Sequence, residues 1–298
     1  MILQQLINGL TLGSVYALIA LGYTMVYGIL ELINFAHGEI YMVGAYWGLL
    51  SLSLFDVNNL SGISLVVVLI FIFLSSMVFC AILGFIIEKV AYKPLRNSPR
   101  LAPLITAVGV SIVLQNLVML IAGTDNKSFP FIFIRGDIKI GEVSIPYIQL
   151  FIIIISVILM VSLHIFIKNT KLGKAMRAVS EDKKTAGLMG INVDWIISLT
   201  FLIGSSLAAA AGVMVGIYYG MINFTMGYIA GLKAFTAAVL GGIGNIPGAM
   251  FGGVLLGVLE SFGAGFISAE YKDVFAFCIL IFVLIFKPSG LLGERVTK

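Results

Sequence analysis

The chain is a succession of long apolar runs separated by short charged clusters. Stretches free of Asp, Glu, Lys and Arg cover 1–30, 40–55, 57–87, 101–124, 143–167, 195–232, 234–259 and 274–286. A helix rising 1.5 Å per residue needs about 20 residues to cross roughly 30 Å of hydrocarbon, and the longer runs exceed that. Barrel strands would alternate apolar and polar every other residue, which these runs do not. The pattern predicts an all-α fold, a polytopic membrane helical bundle forming one transmembrane domain over 1–298. The run 195–232 is too long for one span and predicts a span plus a loop or re-entrant piece.

Composition agrees. Of the 298 residues, 60% are hydrophobic and only 11% are charged, against about 25% charged in a soluble domain. So little charge excludes a water-soluble globule. Cys80 and Cys278 stand apart in apolar runs and frame neither a disulfide set nor a metal site. The first Lys or Arg is Lys89. The opening run therefore lacks the basic start of a signal peptide and is expected to stay in the mature protein.

The formal net charge of +4 is better read as orientation than as affinity for nucleic acid. Lys89, Lys93, Arg96 and Arg100 form one basic cluster. Lys168, Lys171, Lys174, Arg177, Lys183 and Lys184 form a second, and Lys287, Arg295 and Lys298 a third. These hold 13 of the 18 basic residues, so the positive-inside rule predicts that all three face the cytoplasm. The 124–145 loop balances Lys127, Arg135 and Lys139 against Asp125, Asp137 and Glu142, and reads as external. Parity then predicts an N-terminus outside, a C-terminus inside, and about eight to nine transmembrane passes. Spans are expected near 6–29, 40–55, 62–88, 101–123, 146–167 and 194–219. Three short passes near 228–244, 246–267 and 271–287 complete the set; one crossing plus a re-entrant hairpin satisfies the same parity.

A short motif occurs twice. Ile-Asn-Phe-Ala-His-Gly-Glu-Ile at 33–40 and Ile-Asn-Phe-Thr-Met-Gly-Tyr-Ile at 222–229 agree at five of eight positions, at an offset of 189. Parity puts the first copy after a span that ends inside and the second after one that ends outside, which predicts an inverted repeat with a pathway between its halves. Gly permits backbone angles a helix does not use, and Asn satisfies freed backbone groups. Broken backbone at membrane depth is tolerated only inside protein or beside a water-filled cavity. Asn34, His37, Gly38, Glu39, Asn223 and Gly227 are therefore candidates for the translocation path or its gate. An ordinary turn at the membrane surface fits the same residues.

Gly204, Ala208, Gly212, Gly216 and Gly220 recur every four residues and predict a smooth stripe for close helix packing, within the chain or against a second subunit. Gly9/Gly13, Gly248/Gly252 and Gly253/Gly257 are further small-residue pairs. Lys233 and Glu260 are lone charges between 195 and 269 and predict an intramembrane ion pair; placement near a membrane face, with the Lys snorkelling, is the alternative. Glu31, His37 and Glu39 suggest a proton relay less than they suggest an interfacial position.

The second basic cluster lies in a loop, 168–193. Ser180 is expected to cap a short helix, with Glu181 and Asp182 in its first turn and Gly190 in the left-handed position after it. Val179, Ala186 and Met189 would give it an apolar edge suited to a soluble partner. A basic loop that only sets orientation is the other reading. No phosphate loop, zinc-protease motif, Cys-x-x-Cys or nucleophile elbow occurs. His164 stands in an apolar span and reads as a packed residue. No enzyme, cofactor or metal is expected.

Three segments now coincide. INGLTLGSVYALIALGYTMVYGILELINFAHGEIYMVGAY (7–46), GKAMRAVSEDKKTAGLMGINV (173–193) and GLKAFTAAVLGGIGNIPGAMFGGVLLGVLE (231–260) resemble the permease family of branched-chain amino-acid ABC importers, related to ribose-type sugar permeases. The resemblance implies a permease subunit in a prokaryotic inner membrane, moving branched-chain amino acids by alternating access. It implies cytoplasmic ATP-binding subunits, a second homologous permease and an extracytoplasmic amino-acid-binding protein as partners, besides the lipid bilayer, and no nucleic acid. It puts the ATPase coupling loop at 178–190, with Glu181, Asp182, Ala186, Gly187 and Gly190 as its residues, although the Glu-Ala-Ala form of other ABC permeases is missing after Glu181. An ion-coupled secondary carrier, or the same permease type with urea, short amides or a sugar as cargo, is the alternative.

Overall fold

The computed structural model describes residues 1–55, 63–99, 101–130, 136–140 and 143–293. Arg100, Arg135, Glu142, Arg295 and Lys298, used above to read orientation, lie outside them. The helices are α1 Ile2–Leu30, α2 His37–Leu52, α3 Ile63–Ile87, α4 Leu101–Ala122, α5 Tyr147–Asn169, α6 Lys171–Glu181, α7 Lys183–Leu188, α8 Val193–Tyr219, α9 Met226–Gly241, α10 Ile246–Phe266 and α11 Lys272–Phe286. Beyond its α-helical part, α3 continues through a π turn at Glu88–Tyr92 and a 3-10 turn at Lys93–Leu95. The strands are β1 Lys127–Ser128, β2 Asp137–Ile140, β3 Val143–Pro146 and β4 Met221–Ile222. Among the described residues, six helices are long and apolar enough to cross a membrane: α1, α3 with its extension, α4, α5, α8 and α10. The chain is an all-α polytopic membrane protein. The helices α2, α9 and α11, at 16, 16 and 15 residues, are shorter than the ~20 that a full crossing needs.

The 124–145 loop departs from the all-helical expectation. Asp137–Ile140 and Val143–Pro146 pair antiparallel, with Ile138 opposite Ile145, because apolar and polar residues alternate there over a few positions. A second, two-residue ladder joins Lys127–Ser128 to Met221–Ile222.

The chain divides into two units. The first comprises Met1–Glu31, Ile134–Ile197 and Leu232–Lys298. Its axis is α1 against α10, and small residues make the contact. A Cβ at Gly13 would sit 2.7 Å from the Val254 Cα, one at Gly9 2.6 Å from the Val258 Cα, and Cβ atoms at Gly253 and Gly257 would strike Ala17 and Gly13. Two helices approach this closely only where side chains are absent. Gln149 Nε2 donates to Asn8 Oδ1 (2.9 Å) and ties α5 to α1. Ser261 Oγ donates to the Gln5 carbonyl (2.8 Å) at the other end of α10. The Gly-Ile-Gly-Asn-Ile-Pro-Gly motif at 242–248 turns out to be the corner between α9 and α10. Gly242 and Gly244 have φ of 110° and 92°, open to glycine at no steric cost. Asn245 caps α10 by accepting from Gly248 N–H (2.9 Å), with a proline in the first turn, where its missing N–H costs nothing. The Asn245 amide also donates to the Leu292 carbonyl (2.8 Å).

The second unit comprises Leu32–Phe133 and Ser198–Gly231. Here α8 is the central helix. Gly212 lies under the Tyr41 carbonyl of α2, and a Cβ at Gly44 would sit 2.5 Å from the Ala209 Cα. The small-residue stripe of α8 is thus engaged within the chain at Gly212. Ala208 is fully buried, and Gly216 faces the Phe129 ring. Gly220 lies one residue past the helix, with φ of 67°. By contrast, only 11% of the most apolar window of α4 is buried. Ile105 and Ile121 stand 69% and 85% exposed. So much exposed hydrocarbon is a surface for lipid.

Candidate functional site

The two Ile-Asn-Phe copies fold alike. Asn34 Oδ1 accepts from Ala36 N–H (3.1 Å), and Asn223 Oδ1 accepts from Thr225 N–H (3.0 Å). The Asn34 carbonyl accepts from His37 N–H (3.0 Å), and that of Asn223 from Met226 N–H (3.3 Å). In each copy the Asn side chain replaces a backbone partner and the chain re-enters a helix three residues later. Those helices, α2 and α9, begin 189 residues apart and are both 16 residues long. The helices before them, α1 and α8, end 189 residues apart at Leu30 and Tyr219.

The two helix starts meet. A Cβ on Gly38 would strike the Gly227 carbonyl, and one on Gly227 would lie 2.7 Å from the Gly38 carbonyl. Each glycine is the other's nearest backbone obstacle. Glu39 is buried at this junction, 1% exposed. Its Oε1 accepts from Ser111 Oγ (3.2 Å), while a Cβ on Gly227 would strike Oε2. Two positive helix ends facing each other favour a carboxylate between them. His37 is also buried, whereas Glu31 is exposed at the end of α1 with φ of 55°. Glu31 thus lies at the surface of the chain, and His37 and Glu39 lie inside it. Burial follows from the glycine contact, which draws the start of α2 inward.

Lys233 and Glu260 are brought together. Lys233 Nζ lies 2.7 Å from Glu260 Oε1, with both side chains at most 4% exposed. Charge patterning along the chain missed the third member: Asp273 Oδ1 of α11 is 2.5 Å from the same Nζ. The Tyr16 ring lies 5.8 Å from that ammonium, at cation–π range. Asp273 opens a terminal helix beside Lys272, and its sequence context looks like an ordinary helix start.

The 168–193 segment is two helices with a bend, which corrects the expected cap. Ser180 lies inside the last turn of α6 and its hydroxyl donates to the Arg177 carbonyl (2.8 Å). Glu181 is the last residue of α6. The cap is Asp182: Oδ1 accepts from Lys184 N–H (2.8 Å) and Oδ2 accepts from the Thr185 hydroxyl. Those bonds, the Thr185 hydroxyl first, hold the Asp182 carboxyl below its usual range. Both Ser180 and Asp182 are good cap residues; tertiary packing of Met176 and Val179, both buried, carries α6 past Ser180. Gly190 is left-handed, with φ of 85°. The apolar edge also differs from expectation. Val179 and Ala186 are buried, whereas Leu188 and Met189 project at 80% and 79% exposure. Beside them Glu181, Asp182 and Gly187 are exposed. The inner face of α6 closes over α1, with Thr24, Gly28, Met176, Ser180 and Gly244 lining a crevice of about 80 Å³.

Sequence reasoning also passed over Glu88, the last residue of the span expected near 62–88, next to the first basic cluster. It is fully buried in the π turn after α3. It pairs with Arg96, accepts from Ser198 Oγ (2.8 Å) and lies 3.6 Å from Lys89 Nζ.

Known proteins resemble this chain over nearly its whole length. It is 51% identical to the high-affinity branched-chain amino acid transport system permease protein BraD of Pseudomonas aeruginosa, covering 98% of this chain and 96% of that one. It is 49% identical to the permease protein LivH of the corresponding Escherichia coli system, with the same coverage. Among solved structures, a chain of PsaBC from Streptococcus pneumoniae in complex with Fab shares the fold at a TM-score of 0.50 and 13% identity, over 95% of this chain and 91% of that one. Residues 5–284 match the family described as the permease component of the branched-chain amino acid transport system, and the chain belongs to that family.

Proposed function

We propose that this chain is the membrane-embedded permease subunit of an ABC importer that takes up branched-chain amino acids. The observation that carries this reading is the 49–51% identity to BraD and LivH over 96% of their length. The chain has no phosphate loop, so ATP hydrolysis falls to separate cytoplasmic subunits. A second permease and an extracytoplasmic binding protein complete the machine. The three basic clusters put α6, α7 and the C-terminus in the cytoplasm and the N-terminus outside. Leu188 and Met189 form an exposed apolar tip beside Glu181 and Gly187. An ATPase groove closing on that tip would push α6 against α1.

The two Asn breaks form the gate. Matching turns, equal helix lengths and the reciprocal Gly38–Gly227 contact support an inverted repeat, with the contact near its axis. Such a junction separates by a rigid tilt of α2 against α9, because glycine backbones touch without interlocking side chains. About eight to nine passes follow if the short helices α2, α9 and α11 cross together with their flanking segments.

Affinity purification of the tagged chain from its own host tests the assembly. The expected result is two ATPase subunits and a second permease in the eluate, and ATP-dependent leucine uptake after reconstitution with the binding protein. Uptake of leucine by this chain without ATPase subunits would overturn the reading in favour of a secondary carrier.

A further inference from the structure

The two Asn breaks are alike in backbone and unlike in what holds them. Asn34 is 2% exposed, and its Oδ1 accepts a second hydrogen bond from the Tyr92 hydroxyl (2.7 Å), 58 residues along the chain. Tyr92 is itself 2% exposed, and its ring packs on Phe201 of α8 at 5.3 Å between centroids. It closes the π turn that follows α3. A π turn adds a residue to the helical repeat and swings side chains away from the face an α-helix would give them. Here it turns both Glu88 and Tyr92 inward. Glu88 is braced by Ser198, Arg96 and Lys89, so Tyr92 rests on a turn that is fixed at both ends.

At the second break, Asn223 Oδ1 accepts instead from the N–H (3.0 Å) and hydroxyl (2.9 Å) of Thr225, two residues on. Thr225 is exposed. The Asn223 side-chain bonds stay within the turn and travel with α9, while the ladder to Lys127–Ser128 holds only the chain before Asn223; the Asn34 side chain is bonded to a distant buried residue. Rotating α2 about its start would break the Tyr92 bond inside the protein, where a lost partner is costly. Rotating α9 breaks no bond of this kind at Asn223.

We propose that Tyr92 is a positioning residue that pins the first break, so that the second break is the one that opens during transport. The inference rests on the reading of both breaks as gate elements. It also gives Glu88 a part: the basic 89–96 segment reaches Asn34 through a single braced turn, so that a load on that segment is felt at the start of α2.

Thiol labelling of the assembled transporter tests the pin. Cys278→Ser removes an exposed native thiol, while Cys80 is buried. Single reporters are introduced as Ile33→Cys and Ile222→Cys. Tyr92→Phe keeps the ring on Phe201 and removes only the hydroxyl. The expected result is that Tyr92→Phe raises the reaction rate at Ile33→Cys roughly fivefold, the weight of one buried hydrogen bond, and leaves Ile222→Cys unchanged. Asn34→Asp keeps the acceptor and should leave Ile33→Cys as slow as in the parent. An unchanged Ile33→Cys rate, or an equal rise at both reporters, overturns the pin. The labelling is read without substrate, so it does not depend on which cargo the transporter carries. Leucine taken up per ATP, measured on the same Tyr92→Phe protein, should fall. A raised Ile33→Cys rate with that ratio intact would uphold the pin and overturn the gate reading beneath it.

Discussion

A methyl group at Gly253 would land on the Ala17 backbone, and one at Gly13 on that of Val254. Overpacking of this kind typically costs about 1–3 kcal/mol, and more when the obstacle is backbone. Gly253→Leu should therefore lower the thermal midpoint of the purified chain in detergent by a wide margin. Gly109→Ala should not, since a Cβ at Gly109 meets nothing within 4 Å; equal melting of the two variants would undo the close-packing account. Both glycines stand in apolar helices, and hydropathy alone does not tell them apart. Small-residue spacing singled out Gly253 and not Gly109, and that spacing is the legible part. Asp182 shows another side of the residue scale. Its carboxyl is held low by Thr185 and Lys184, so the folded form keeps its charge at lower pH than the unfolded chain. Its support of α7 is present above the unfolded value of about 3.9 and is lost as pH falls through the lower, folded value. Carboxylate chemical shifts of labelled Asp182 should titrate below the ordinary aspartate range, and Thr185→Val should move that titration upward.

The short helices α6 and α7 carry the element-scale prediction. Gly187 is exposed, and the nearest obstacle to a Cβ there is Val193 Cγ2 at 3.8 Å. The fold thus has room for Gly187→Trp. Glu181→Lys, on the exposed end of α6, is likewise free of internal cost. Each should leave expression and melting intact and reduce permease-stimulated ATP hydrolysis about tenfold, the effect of roughly 1.4 kcal/mol at an interface. Stimulation at the parental level would sink the coupling role. The helix itself was legible because cap residues, basic residues and Gly190 mark it. Its start was not, since Ser180 and Asp182 are chemically equivalent caps and the choice between them was made by the burial of Met176 and Val179 in the first unit. The exposed pair Leu188 and Met189 was half seen for the same reason: a short polar segment has too little periodicity to say which of its apolar residues face inward.

On the scale of the whole molecule, one ammonium holds three helices. Lys233 of α9 meets Glu260 of α10 and Asp273 of α11. Lys233→Ala strands Glu260, which is 2% exposed, and should cost about 3–5 kcal/mol. Pairing Lys233→Met with Glu260→Gln removes both buried charges and should recover most of the loss in the same thermal assay. If the double variant melts no higher than Lys233→Ala, the cost is packing and not charge. The proposed inverted repeat makes its own prediction. Single cysteines in place of Ile33 and Ile222 should be protected by impermeant reagents added to opposite faces of the membrane, and protection from the same face would end the repeat.

What the sequence by itself determined is the set of terms that depend on near neighbours. Twenty-residue apolar runs demand helices in lipid, Asn and Gly break them at 33–40 and 222–229, and basic residues gather at three of the ends. These follow from hydrogen bonding and burial within a few turns of chain. Only the tertiary structure decided which residues meet across the chain. Asp273 joins Lys233, Ser198 bonds Glu88, Tyr92 reaches Asn34, and Gly38 touches Gly227. Each of these contacts spans tens of residues or more, and its energy depends on a geometry set by packing, so no local pattern of residues could announce it.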